Sequence, residues 1–377
     1  MTLTFTNAPL TPSPTMLGFY SKHGVGKSSL AAAAARDLWK KHGWKTQVVS
    51  IDPGSRAAYE RGEAAGYIEY LSADNWTNYA FDVLWTRLGE GAWPVDTKAP
   101  GSPLVKGILS IRLCPKCGKD TGAPPHSHVL ACKSCNARFP PGTSIPETRL
   151  LAPHLVGVGL RVYEGITKVG EGLLEACRQA APTGDKFYVG GTQEDVGLLR
   201  LANEALKARD KVTAEQLAAL TEVKKGEVDG RFSMAIALDQ GHYGKAGKDV
   251  EKILGATQRL PIPYVIWTAH EARWEISTDK SNRNAPMKLM GLGPGIVPAK
   301  AMQTALRDFV LFGRITVEEG KRVLYLSQHP GEGNIRWESK CNIPGMPAKV
   351  ILPDLFEANG FGLLMEEMEK ARGREMP

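Results

Sequence analysis

Long apolar runs are missing from this sequence of 377 residues: no stretch approaches the ~18 consecutive apolar residues that suggest a membrane-spanning helix. We therefore expect no membrane partner. The first 15 residues lack a charged start and an apolar core, so no signal peptide is expected. Cysteine is scarce, with six in the chain, and four of them stand in two close pairs. This spacing favours metal ligands over disulfides and predicts a reducing, cytoplasmic location.

The bulk composition is that of an ordinary globular protein, with 42% hydrophobic and 23% charged residues. The length allows one large α/β domain with insertions, or two domains. Lysine and arginine number 47 against 40 acidic residues, which gives a net charge of +7. This charge suits a polyanionic partner, although ATP-binding proteins and ordinary basic surfaces share it.

A glycine loop separates a predicted strand at residues 16–20 from an alanine-rich predicted helix at residues 29–39. Its members are Ser21, Lys22, His23, Gly24, Val25, Gly26, Lys27, Ser28 and Ser29. They match the pattern G-x-x-x-x-G-K-[ST], except that Ser21 replaces the first glycine. In such a loop the backbone N–H groups bind phosphates, Lys27 would reach the β- and γ-phosphates, and Ser28 would bind Mg²⁺. The alternative is a strand-to-helix turn without a ligand.

A second predicted strand at residues 44–51 completes a βαβ unit, and such a unit predicts a parallel sheet. Asp52 ends this strand, and ligands of open parallel sheets collect at the carboxyl ends of the strands. Asp52 therefore either contacts the water around Mg²⁺ or the attacking water, or it caps the turn that follows.

The predicted strand at residues 155–163 also ends in an acid. This acid is Glu164, which we expect to order the water shell of Mg²⁺. Asp239 is the alternative, but residues 234–238 before it contain helix-forming alanines and no β-branched run, so Glu164 is preferred.

A further predicted strand, residues 263–267, ends in the polar sequence of Thr268, Ala269, His270 and Glu271. His270 and Glu271 could sense the γ-phosphate or position water. Each could equally cap the next element.

The paired cysteines form the pattern C-x2-C-x14-C-x2-C, made of Cys114, Cys117, Cys132 and Cys135. Two such pairs place four thiolates around one Zn²⁺, and a site closed by four cysteines is typical of structural zinc. Gly118 and Asn136 follow the pairs and ease the tight turns.

His126 or His128 could replace a cysteine ligand, although solvated loop histidines are the simpler interpretation. Basic residues around the cysteines could contact a nucleic-acid backbone or simply face solvent. They are Lys116, Lys119, Lys133 and Arg138.

The remaining predicted elements are coarser. We expect a mixed, mainly helical stretch at 57–88, a connector at 89–104 and a helix at 168–180. A charged helical stretch at 185–230 should include helices at 196–209 and 213–225. The late part of the chain should contain a mobile loop at 287–298, a hairpin of strands at 307–317 and 322–327, and a helix in the tail at 353–374. The apolar residues of the tail predict core packing rather than a partner-binding stripe.

In this order the motifs resemble those of bacteriophage-encoded RecA-type P-loop ATPases, the group that includes single-strand-annealing recombination ATPases. The resemblance rests on residues 21–29, 48–52, 162–167 and 265–271, with a late glycine-rich stretch at 291–295 and strands at 308–313 and 322–326. It covers most of residues 15–350. It implies an α/β fold, with a RecA-like core of mainly parallel sheet flanked by helices. The cysteine spacing adds an inserted four-cysteine zinc ribbon, which is not part of the minimal core of that family.

The motifs and the resemblance together predict cofactors and a division of the chain. ATP and Mg²⁺ would bind at the glycine loop and Zn²⁺ at the cysteines, and the residues for ATP hydrolysis would be Lys27, Asp52, Glu164, His270 and Glu271. The parts of the chain are a loose arm (1–15), the first part of the ATPase core (16–104), the zinc ribbon (105–145), the rest of the core (146–350) and a helical tail (351–377).

The function that the resemblance implies is a DNA-acting ATPase of phage recombination or replication in the host cytoplasm. It would form a homo-oligomer on single-stranded DNA, and Arg336 or Lys340 of a neighbour would complete the ATP site. RecA-type cores usually carry a water-activating glutamate after the second strand, where this chain has Pro53, Gly54 and Ser55.

Other functions stay open. One is a dimeric nucleotide switch of the partition-ATPase type, because Lys22 lies five residues before Lys27, as the extra lysine of that loop does, although His23 stands where that loop has glycine. Another is a virion or scaffold protein that binds ATP and zinc structurally. A small-molecule kinase is less favoured, since no acceptor-binding pattern is present.

Overall fold

The computed structural model describes residues 13–76, 79–122, 131–140, 143, 145, 147–180, 186–208, 211–236, 240–277, 287–296, 307–330, 336–353 and 360–373. The chain divides into two compact units, one made of Met1–Glu171 and Asp249–Pro377 and the other of Gly172–Lys248. Within the described ranges, no helix has the length and apolar character needed to cross a membrane.

Strands and helices alternate from β1 to α3, whereas the described residues from β4 to β8 and from β11 to β18 contain strands without an α-helix between them. The strands are β1 (Thr15–Ser21), β2 (Lys45–Ser50), β3 (Ile68–Ser72), β4 (Trp93–Pro94), β5 (Leu104–Val105), β6 (Ile108–Arg112), β7 (Glu147–Leu151), β8 (Val158–Glu164), β9 (Lys186–Gly190), β10 (Phe232–Ile236), β11 (Tyr264–Ser277), β12 (Met287–Pro294), β13 (Leu311–Glu318), β14 (Lys321–Tyr325), β15 (His329–Pro330), β16 (Arg336–Trp337), β17 (Lys340–Cys341) and β18 (Lys349–Leu352). The α-helices are α1 (Lys27–His42), α2 (Glu60–Ala64), α3 (Phe81–Gly89), α4 (Ile166–Ala180), α5 (Val196–Lys207), α6 (Ala214–Val228), α7 (Gln240–Thr257) and α8 (Gly360–Gly373).

The central sheet of the first unit contains six parallel strands in the order β3-β2-β8-β11-β1-β13. Every residue of β8 and the last six of β1 are buried, as expected for a parallel sheet covered on both faces. Antiparallel strands extend it, since β14 and β18 follow β13 and the late part of β11 pairs with β12. The predicted α/β class, with a mainly parallel central sheet flanked by helices, is confirmed.

Helix α1 begins directly after the glycine loop, and its N-cap residue Gly26 has a φ of 114°, a left-handed conformation that favours glycine. The helix buries small side chains, including Ala31 and Ala34, in the core beside the sheet. Basic residues fill its last turn, where they complement the helix dipole. The N-terminus of α1 is therefore held at the carboxyl end of β1.

The second unit pairs β9 antiparallel with β10 and packs α5 and α6 against these strands. The helices lie close to the bounds predicted for them, but β9 was missed. The argument against a strand at residues 234–238 is wrong, because Met234 and its neighbours belong to β10 and pair with β9. Asp239 lies outside the described residues. The core of this unit contains Tyr188, Ala202, Ala219, Val223 and Phe232.

Residues 57–88 are mixed, as expected, because the strand β3 lies between the helices α2 and α3. Two other expectations for the first unit are wrong. The mobile loop expected at 287–298 is largely the strand β12, and β11 continues to Ser277 instead of ending at residue 267. These two errors share a cause: β11 and β12 pair with each other, and such pairing outweighs local glycine content.

Other expectations are confirmed. Strands β1, β2 and β8 and helix α1 lie close to their predicted positions. The predicted hairpin is β13 and β14, and its turn residues Glu319 and Gly320 both have positive φ, which suits a two-residue hairpin turn. The tail helix α8 buries Leu364 and Met368 in the main core, as its apolar residues predicted.

Candidate functional site

The glycine loop is closed by Lys27, whose ammonium lies across the loop. It donates to the carbonyl oxygen of Ser21 at 3.4 Å, to the Ser21 hydroxyl at 3.2 Å and to the carbonyl oxygen of Lys22 at 3.3 Å. Burial lowers the pKa of Lys27, and the nearby Glu164 and Asp52 carboxylates oppose this shift. Gly24 and Gly26 both have positive φ, so glycine stands where the loop conformation requires it.

Glu164 ends β8 and is only 2% exposed. The hydroxyl of Tyr59 donates to one carboxylate oxygen and that of Thr268 to the other, and Ser28 also hydrogen-bonds to this side chain. Burial raises the pKa of Glu164, while these hydrogen bonds and the charge of Lys27 act in the opposite direction. Hydroxyl groups thus hold the carboxylate beside the first turn of α1.

Asp52 follows β2 and accepts a hydrogen bond from the N–H of Gly54 at 3.2 Å, so the predicted capping role is confirmed. Its carboxylate also forms an ion pair with Lys168 at 3.3 Å and lies 3.5 Å from Nε2 of His270. Burial acts to raise the pKa of Asp52, but Lys168, Gly54 and His270 outweigh it, and the pKa is lowered. The acid is therefore ionised at neutral pH. Its contact with water or Mg²⁺ stays a prediction.

His270 and Glu271 lie inside β11 rather than beyond its end. Successive side chains of a strand point to opposite faces, and accordingly His270 faces the glycine loop. There its ring packs against that of His23, with 4.6 Å between centroids and a tilt of 30° between the ring planes. Burial and the charges of Lys27 and His23 lower the pKa of His270. Glu271 instead forms an ion pair with Arg314 at 3.1 Å.

A cavity of about 440 Å³ lies at the carboxyl ends of β1, β2 and β8, and part of β11 lines it. It brings together nine of the predicted site residues, which are His23, Gly24, Gly26, Lys27, Ser28, Ser29, Asp52, Glu164 and His270. The other described lining residues are Gly54, Ser55, Ala57, Ala58, Gly165, Thr268 and Ala269. Of the remaining predicted residues, Ser21, Lys22, Val25 and Glu271 are not part of this described lining.

Two residues of this site were missed by sequence reasoning. Tyr59 is fully buried and holds Glu164, which lies 105 positions further along the chain. Lys168 lies on α4 and holds Asp52 across 116 positions. No local sequence motif marks Tyr59 or Lys168 as a site residue, because their contacts depend on which strands become neighbours in the sheet.

The four cysteines predicted to bind zinc lie together, with their ligand atoms within 4.8 Å of one another. Sγ of Cys114 is 3.8 Å from that of Cys135, and Sγ of Cys117 is 3.9 Å from that of Cys132. A tetrahedral ion with Zn–S bonds of ~2.3 Å separates its sulfur ligands by ~3.8 Å. The four thiols therefore fit a tetrahedral metal ion such as zinc.

The two cysteine pairs have the same backbone geometry. The N–H groups of Gly118 and Asn136 donate to the carbonyl oxygens of Cys114 and Cys132, each at 2.8 Å, and both residues have positive φ, as their place after the pairs predicted. Strands β6 and β7 pair antiparallel on either side of this region, which we call the cysteine hairpin (residues 108–151). His126 and His128 lie outside the described residues. The basic residues Lys116, Lys119, Lys133 and Arg138 flank the cysteines, and all four are exposed.

The two basic residues considered for a neighbouring subunit lie on late strands. Arg336 belongs to β16, and its side chain is outside the described part of the structure. Lys340 belongs to β17, and its ammonium donates to the carbonyl oxygen of Arg307 at 3.3 Å.

No protein-family model matches this chain, and no curated protein sequence matches it.

Proposed function

We propose that this protein binds ATP with Mg²⁺ at the glycine loop and hydrolyses it. The observation that carries the proposal is the convergence of Lys27, Ser28, Asp52, Glu164 and His270 on one cavity of about 440 Å³. Ligands of open α/β sheets bind at the carboxyl ends of the strands, and small-molecule sites commonly measure ~300–1,000 Å³. The resemblance to RecA-type ATPases favours ATP as the ligand.

In this proposal the N-terminus of α1 and the loop N–H groups bind the phosphates. Lys27 exchanges its present oxygen partners for oxygens of the β- and γ-phosphates. Ser28 contributes its hydroxyl to Mg²⁺, and Glu164 orders the water molecules that complete the coordination of the ion. Mg²⁺ usually keeps several waters beside one or two protein ligands, which suits a buried acid held next to Ser28.

Hydrolysis requires a group that orients the attacking water. The glutamate usual after the second strand is absent, so we assign this role to Asp52 and His270, which face each other at the cavity. His270 has a lowered pKa and is neutral at pH 7, a form that can accept a proton. Glu271 is paired with Arg314, and we expect it to contribute less.

The test is ATP binding and turnover by the full chain, compared with Lys27→Ala. Lys41→Ala is the matched control, because Lys41 is exposed in the last turn of the same helix. We expect Lys27→Ala to lose both binding and turnover and Lys41→Ala to retain them. Equal ATP binding by wild type and Lys27→Ala would refute the proposal.

For the partner we propose single-stranded DNA, bound by a homo-oligomer in the cytoplasm. The support is the resemblance, the net charge of +7 and the exposed basic residues of the cysteine hairpin. Binding to phosphates weakens steeply with salt. Single-stranded DNA should therefore stimulate ATP turnover at low salt and lose this effect as salt rises, and particle size should grow when DNA and ATP are both present.

The partition-type switch is the second candidate, and it is favoured by one observation: the side chain of Lys22, within the glycine loop, is exposed. That function predicts an ATP-dependent dimer that requires Lys22. Loss of dimer formation in Lys22→Ala, without any response to single-stranded DNA, would support it over the first. ATP binding without turnover would instead support a virion or scaffold role.

A further inference from the structure

We propose that His23, Asp52 and His270 form a second metal site, which binds a divalent transition-metal ion such as Zn²⁺ beside the glycine loop. Their ligand atoms lie within 4.8 Å of one another, and all three residues line the same cavity. Two imidazoles with one carboxylate are a donor set that binds first-row divalent metals in proteins.

The distances fit such an ion. Nε2 of His270 lies 3.5 Å from Oδ2 of Asp52. A tetrahedral ion with bonds of ~2.0–2.2 Å to nitrogen and oxygen separates its ligand atoms by ~3.4 Å, so one edge of the site already has the required length. The His23 ring lies 4.6 Å from that of His270 between centroids, tilted by 30°. His23 is exposed, so its side chain is free to rotate into the third ligand position.

The surroundings orient the ligands. Oδ1 of Asp52 accepts from the N–H of Gly54 at 3.2 Å and from Lys168 at 3.3 Å, which directs Oδ2 towards the imidazole. His270 is fixed by its place in β11 and by the hydrogen bond from its backbone N–H to the Thr167 hydroxyl at 3.0 Å. Hydrogen bonds of this kind around the ligands are a regular part of protein metal sites.

Three protein ligands leave coordination positions free for water or a phosphate oxygen, as catalytic metal sites do. The four cysteines, by contrast, would fill the coordination of their ion. An ion at His23 and His270 would stabilise negative charge on an oxygen ligand in the cavity. This role rests on the proposed nucleotide function, whereas metal binding itself does not.

The test counts metal ions on the full chain with zinc already bound at the cysteines. Zn²⁺ uptake is measured by equilibrium dialysis without nucleotide for wild type, His270→Ala and Asp52→Asn. Asparagine also caps well, so Asp52→Asn keeps the local fold. We expect wild type to bind a second equivalent and both variants to bind it at least ~10-fold more weakly. His42→Ala is the control and should bind like wild type, since His42 lies at the far end of α1, stacked on Trp44.

A wild-type chain that binds zinc only at the cysteines would overturn the proposal. A second equivalent that is unchanged in both variants would overturn it equally. ATP binding is measured separately, with Mg²⁺ as the only added ion. If the wild-type chain binds ATP but no second zinc ion, the metal site alone is refuted. If it binds the second zinc ion but not ATP, the nucleotide function alone is refuted.

Discussion

The ammonium of Lys27 donates to the hydroxyl of Ser21 at 3.2 Å. Ser21 stands where the phosphate-loop pattern has its first glycine, and it is fully buried at the end of β1. Its hydroxyl also donates to the carbonyl oxygen of Lys22 at 2.7 Å. Serine in place of glycine at position 21 therefore supplies a hydroxyl group that holds the Lys27 side chain across the loop.

The first prediction concerns Ser21→Gly, which restores the pattern. Lys27 loses one of its three partners, so we expect the free energy of unfolding to fall by about 1 kcal/mol. ATP affinity should rise by a few-fold, because Lys27 then breaks one hydrogen bond fewer when it binds phosphate. A few-fold change in affinity corresponds to about the same 1 kcal/mol. Urea unfolding and ATP titration measure the two effects. An affinity loss of ~10-fold or more would show that Ser21 contacts the ligand.

The second prediction concerns Glu164→Gln. Burial raises the pKa of Glu164 above its ordinary value, so the folded chain retains a proton that the unfolded chain loses as pH rises. The resulting contribution to stability is fully present below the unfolded pKa and is lost as pH rises through the folded pKa. The loss amounts to about 1.4 kcal/mol for each pH unit that separates the two pKa values. Glu164→Gln should therefore stabilise the protein more at pH 8 than at pH 5, while it abolishes ATP turnover.

Urea unfolding at both pH values tests this prediction. Glu60→Gln is the control, because Glu60 is exposed in the first turn of α2. An equal effect of Glu164→Gln at both pH values would contradict the prediction.

The third prediction concerns the cysteine hairpin. Cys117→Ser removes one of four thiol ligands, and we expect it to lose the tightly held zinc ion and to make the hairpin sensitive to protease. Structural zinc supplies ~10 kcal/mol of apparent binding free energy in small modules, so the local effect should be large. Cys341→Ser is the control, since Cys341 lies on β17 and outside the cluster. Zinc retention in Cys117→Ser, measured by elemental analysis, would refute the four-cysteine site.

The fourth prediction concerns Gly18 in β1. A Cβ atom at this position would lie 2.3 Å from the ring of Phe312 on the neighbouring β13, and Phe312 is fully buried. Gly18→Ala should therefore destabilise the fold by about 1–3 kcal/mol. Gly255→Ala in α7 is the opposite case, because nothing lies within 4 Å of the added atom, and it should stabilise by roughly 0.5–1 kcal/mol. Thermal unfolding of both variants checks the two signs.

Much of the candidate site could be predicted because its parts are local. The strand, loop and helix around Lys27 follow from apolar runs, glycines and alanines that are adjacent in sequence. Asp52 and Glu164 could be found for the same reason, since each directly ends an apolar strand. Glu271 was grouped with His270 from sequence, yet the strand continues through both residues and the alternation of side chains directs Glu271 to Arg314.

By itself the sequence determined the glycine loop, the cysteine spacing and the parallel α/β class, because backbone conformation, turn residues and burial patterns are encoded over short stretches. Only the tertiary structure decided that β11 lies between β1 and β8 and so brings Thr268 to Glu164, which precedes it by 104 positions. It also decided that Tyr59 and Lys168 reach the site. Strand order depends on which apolar faces pack best across the whole chain, and no local pattern carries that information.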